Sequence, residues 1–163
     1  MKRVKTIMSI TVASALMSLS ACQQAQRENP LLQESTLPFG APDFNKIDST
    51  DYLPAFEAAI QQTRDEIAKI VDNPDSATFE NTILAYEESG RLMERVSRTF
   101  FALIEADKTP ALGGIEKKVQ PMLTDLSNEI KFNKPLFERI KKVYDNEYQT
   151  LQGEDQKLLE EIY

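Results

Sequence analysis

Any acid-base chemistry in this chain would have to come from carboxylates, because the sequence holds 26 Asp and Glu residues, one cysteine and no histidine. Three adjacent acid pairs, Asp65-Glu66, Glu87-Glu88 and Glu160-Glu161, are candidates for a paired general acid and base. Each falls in a stretch patterned as helix, where neighbours point about 100° apart and do not converge on one substrate atom. They read as solvated charged faces. Glu94 and Arg98, four apart, read as a surface ion pair worth about 0.3–0.5 kcal/mol. Phe100-Phe101 and the tyrosines at helical spacing read as core rather than as a ligand box. Without histidine there is no H-E-x-x-H zinc motif, no Ser-His-Asp or Cys-His arrangement and no imidazole base. Gly113-Gly114 lacks the further Gly and the Lys-Ser/Thr of a phosphate loop. These residues assign no catalytic side chain and no metal ligand, and they leave the substrate-binding residues unknown.

The single cysteine, Cys22, has no disulfide partner, and its setting gives it another use. Lys2, Arg3 and Lys5 precede an uncharged, mostly apolar run from Thr6 to Leu19, the layout of a secretory signal. That run is short for a membrane span, which takes about 20 apolar residues. "LSAC" at Leu19 to Cys22 resembles a bacterial lipobox, which makes Cys22 the lipid attachment site and new N-terminus of an exported, membrane-anchored lipoprotein on the periplasmic side of the cell envelope. The alternative is an ordinary secretory signal with an incidental cysteine at its boundary. Removing residues 1–21 takes away three positive charges and no negative one, so the processed chain is more acidic than the net charge of −7. That sign repels phosphate backbones and excludes nucleic acid as an expected partner.

The elements that position these residues are helices. Low glycine, no tryptophan and long runs rich in Ala, Leu, Glu, Lys and Gln favour an all-α fold of antiparallel helices and helical hairpins. Residues 22–45, with three prolines, read as a lipidated tether passing into an extended segment, part of which packs along a helical body. Residues 46–163 form the helical region. A first helix opens at Asp48, Ser49 or Thr50, carries Phe56, Ile60, Thr63, Ile67 and Val71 on one face, and stops before Pro74. Thr78 caps a second, predicted to run unbroken through Gly90 to Ile104. Thr109 and Pro110 open a third, with a kink expected at Pro121. Asn133 caps a fourth that Gly153 ends, and "EDQKLLEEIY" forms a fifth whose stripe of Leu158, Leu159 and Ile162 has no later segment to cover it unless it folds back on its neighbours.

The runs "NPLLQESTLPFGAPDFNKI", "DYLPAFEAAI", "NPDSATFENTILAYEESGRLMERV" and "LFERIKKVY" span Asn29 to Tyr144. In this order and spacing they resemble the N-terminal part of bacterial peptidyl-dipeptidases of the thimet oligopeptidase family. The resemblance implies an all-α body split by a deep channel that admits short peptides. It also implies a buried zinc held by two histidines of an H-E-x-x-H helix and a further glutamate, releasing C-terminal dipeptides. None of those residues has a counterpart in this chain, so no catalytic residue carries over and no zinc is expected to bind to it. The expectation is an N-terminal fragment, incomplete at its C-terminus, that supplies a wall of the channel and is inactive alone. The alternative is a stand-alone helical lipoprotein acting as a binding module without catalysis.

Overall fold

The computed structural model describes residues 27–163. The signal segment, Cys22 and the start of the tether lie outside the described residues. Among those described there is no strand, and the fold is all-α. Two short 3-10 turns, Pro30–Leu32 and Pro38–Gly40, precede α1 (Ser49–Val71). A π-helical turn (Phe79–Leu84) runs into α2 (Ala85–Glu88), and α3 (Arg91–Ala106), α4 (Pro110–Lys131), α5 (Lys134–Glu147) and α6 (Gly153–Ile162) follow.

Capping residues set most of these starts. The Asp48 amide donates to Asp51 Oδ2 at 2.8 Å, closing the first turn of α1. Thr78 Oγ1 accepts from the Asn81 amide while Asn81 Oδ1 accepts from the Thr78 amide. Thr109 Oγ1 accepts from Leu112, with Pro110 in the first turn where its missing N–H costs nothing. Asn133 Oδ1 accepts from Leu136. Each such cap stabilises its helix by about 1 kcal/mol.

Helix α1 is the spine, because its face serves two separate cores. Its first half buries Tyr52, Ala55, Phe56 and Ala59 against Val96, Phe100 and Ile104 of α3, Leu112 and Val119 of α4, and Leu31. Phe100, fully buried, lies 4.9 Å from Tyr52 and 5.4 Å from Phe56 between ring centroids. Its second half buries Ile67 and Ile70 against Phe79 and Ile83 of the π turn, Leu136, Ile140 and Val143 of α5, and Leu159 of α6. Burying each such large apolar side chain contributes about 1.5–3 kcal/mol over leaving it in water. Arg64 of α1 clamps Glu129 of α4 through two hydrogen bonds of 2.7 Å. Arg139 of α5 donates to the carbonyls of Asn73 and Asp75 and to Asn81 Oδ1, fixing the loop between α1 and the π turn.

Two details depart from the sequence expectations, and an alternative left open there is realised. The second helix is not continuous: Ser89 adopts extended backbone, Gly90 has φ +74°, and α3 starts afresh at Arg91. The left-handed conformation at Gly90 ends one helix and turns the chain before the next, and Glu66 Oε2 accepts the freed Gly90 amide at 2.8 Å. Helix α5 ends at Glu147, before Gly153, which with φ +62° opens α6 instead. The stripe of α6 folds back: Leu159 is fully buried, and Leu158 and Ile162 pack on the second core. Helix α4 continues through Pro121 to Lys131.

Candidate functional site

The segment ahead of α1 is pinned at both ends. Arg27 donates to both carboxylate oxygens of Asp51, at 2.6 and 2.7 Å, to Asp48 at 3.1 Å and to the Lys46 carbonyl at 2.7 Å. The hydrogen bond to Asp51 is the main reason the guanidinium is held above its ordinary pKa. Asn29 Nδ2 donates to the Asp51 carbonyl at 2.8 Å, and Leu31 inserts into the first core. Beneath these contacts, burial first and the Asp51 charge second push the Tyr52 phenol up.

Between the two anchors, residues 33–45 arch past α3 and leave an open cavity on either side. One, of about 560 Å³, is bounded by the arch, Lys46 and Asp48. The other, of about 780 Å³, reaches over Glu87, Gly90, Arg91 and Arg98. Gly40, Pro42, Arg95 and Thr99 border both. Among the described residues, Arg95 Nη2 reaches only the Leu32 carbonyl, at 3.4 Å, and its buried Nε has no partner. The groove mixes cations and carboxylates along its rim. No sequence pattern marked it, since the arch brings together residues some sixty positions apart in Leu32 and Arg95.

Of the residues singled out by type, Glu87, Glu94 and Arg98 border the second cavity, and none of the adjacent acid pairs forms a converging acid-base pair. Asp65 accepts from Gln61 and Glu66 from Gln62, each at 2.8 Å, and Glu66 turns to Gly90. Glu88 pairs with Arg91, Glu87 is exposed, and Glu160 accepts from the Tyr148 hydroxyl. That bond is the chief reason the Tyr148 phenol titrates above its ordinary value. Glu94 and Arg98 form an exposed ion pair on α3. Phe100 and Phe101 belong to the first core, and Gly113-Gly114 lie inside α4. Cys22 lies outside the described residues.

No protein-family model matches the sequence. Two curated proteins do. The dipeptidyl carboxypeptidase of Escherichia coli is 41% identical over 136 residues, which cover 83% of this chain and 20% of that protein. The dipeptidyl carboxypeptidase of Salmonella typhimurium is 38% identical over the same length and the same shares. The chain thus spans about a fifth of the length of the curated relatives it matches. The chain is therefore homologous to a segment of two bacterial dipeptidyl carboxypeptidases, over 83% of its own length and a fifth of theirs.

Proposed function

We propose that this chain supplies a helical, non-catalytic lobe of a zinc-dependent dipeptidyl carboxypeptidase, forming part of the wall of a channel that admits short peptides. The observation that carries the reading is the relation of 136 residues to a fifth of two curated enzymes of that name. The donor set of this chain does not fit the metal. It has no histidine, and the described residues include no group of three His, Cys, Asp or Glu placed to share an ion, whereas catalytic zinc takes three protein ligands. No step through zinc is therefore assigned to these side chains. Their part is steric: two cores hold α1, α3, α4 and α5 as a rigid wall, and a rigid wall selects substrates by size. Export and a lipid on Cys22 complete the proposal. No helix among the described residues is long and apolar enough to cross a membrane, so attachment would rest on that lipid.

The test is a chimera in which residues 27–163 replace the aligned segment of the Escherichia coli relative. The chimera is expected to release C-terminal dipeptides from short peptides, and the chain alone is expected neither to bind zinc by metal analysis nor to cleave. A folded chimera without dipeptide release, or cleavage by the chain alone, overturns the reading. The second reading, a helical lipoprotein that binds a partner without catalysis, draws on the closed second core around Leu159. It expects a cooperatively unfolding monomer and an inactive chimera.

A further inference from the structure

Phe39 is the least protected large apolar side chain described, at 108% relative exposure, and with φ +59° it is the one non-glycine among the described residues in the left-handed region. L-residues avoid that conformation because Cβ crowds the backbone, and phenylalanine gains nothing locally from being there. The turn is nevertheless well built: the Gly40 amide donates to the Leu37 carbonyl at 3.1 Å, the Ala41 amide to Pro38 at 3.3 Å, and Ser35 Oγ to the Ala41 carbonyl at 2.5 Å. Leu37 and Phe44, 41% and 49% exposed, stand within the same eight residues. A braced turn that holds a strained aromatic fully in water, flanked by two more apolar side chains, has the composition of an interface centre.

Resting on the reading above, we propose that Phe39, with Leu37 and Phe44, is the anchor by which this lobe docks into an apolar pocket on the remainder of the peptidase. The relatives are about five times longer than the segment matched here, so in the proposed enzyme four-fifths of the chain lies outside this lobe and is available to cover its exposed apolar surface. The arch carrying Phe39 is tied to the lobe through Arg27, Asn29 and Leu31, so a contact made at its tip reaches the start of α1.

Hydrogen exchange over residues 35–44 tests this, compared between the isolated chain and the chimera. Amides of this stretch are expected to exchange at least tenfold more slowly in the chimera, and Phe39→Asp is expected to abolish the difference. Phe39→Gly separates docking from folding: it raises the melting midpoint of the isolated chain by relieving the backbone, yet also removes the protection in the chimera. Equal exchange in a peptidase-active chimera overturns the docking inference and leaves the function standing. An inactive chimera removes both. Phe39-dependent self-association of the isolated chain, by light scattering, overturns the inference in favour of a second copy.

Discussion

Replacing Gly90 by alanine gives opposite signs for the two ways of connecting α2 to α3. In an unbroken helix the substitution stabilises, by about 1 kcal/mol, because glycine is the poorer helix former. At φ +74° it destabilises, since alanine in the left-handed region costs about 1–2 kcal/mol, partly offset by about 0.4–1 kcal/mol from a less free unfolded chain. Sterics add little. A Cβ at Gly90 meets Thr63 Cγ2 and Oγ1 at 3.7 Å, ordinary contact rather than overlap. The hydrogen bond from the Gly90 amide to Glu66 survives if the backbone holds. The net expectation is a loss of about 1 kcal/mol, a drop of about 3 °C in melting temperature for a domain of this size. Urea unfolding followed by circular dichroism, with thermal melts alongside, measures it. A variant more stable than the parent refutes the argument, for it means the chain can run through Gly90 as helix.

Two further substitutions probe charges and buried polar groups. Tyr52→Phe removes a buried hydroxyl that has no hydrogen-bond partner among the described residues, so the variant is expected to gain about 1 kcal/mol, read as a higher melting midpoint; a loss would mean the hydroxyl is satisfied. Arg64 holds the Glu129 carboxyl below its ordinary value, chiefly by hydrogen bonding. The unfolded chain therefore takes up this proton at higher pH than the folded one. The pair's contribution is complete above the unfolded carboxylate range and fades as pH falls through the depressed folded value. Arg64→Gln should accordingly differ most from the parent near neutral pH and converge with it as pH falls through and below the ordinary carboxylate range, and a gap unchanged by acid refutes the assignment.

Helix starts were legible because they depend on a few local groups. A hydroxyl or amide side chain at Thr78, Thr109 and Asn133 meets an orphan amide three residues on, and sequence spacing alone encodes that. Apolar stripes were legible for the same reason: Phe56, Ile60 and Ile67, four and seven apart, are all buried. The break at Gly90 was harder. The stripe resumes beyond it at Leu92 and Met93 with nearly helical spacing, and what distinguishes a stop from a tolerated glycine is Glu66, twenty-four residues away, waiting for the amide. The π-helical turn at Phe79–Leu84 has no sequence mark of its own; Glu147 at the end of α5 accepts the Phe79 amide and brings that turn against the second core.

The groove and the Phe39 turn stayed hidden for a deeper reason. Periodicity reports which residues a segment buries within its own fold, and it is silent about residues that the fold leaves out. Leu31 and Phe39 sit in the same proline-punctuated segment, equally apolar to the eye, yet one is 4% exposed and the other lies wholly in water. Only the paths of α1 and α3 past this segment separate them: Leu31 reaches the first core, and the arch carries Phe39 away from it. An apolar residue that folding buries needs no partner beyond the fold. On the docking proposed above, one that folding displays, in a backbone conformation it resists, gains its stabilisation from a surface outside the described fold, and the exchange rate of its neighbours in the chimera is the quantity that decides its role.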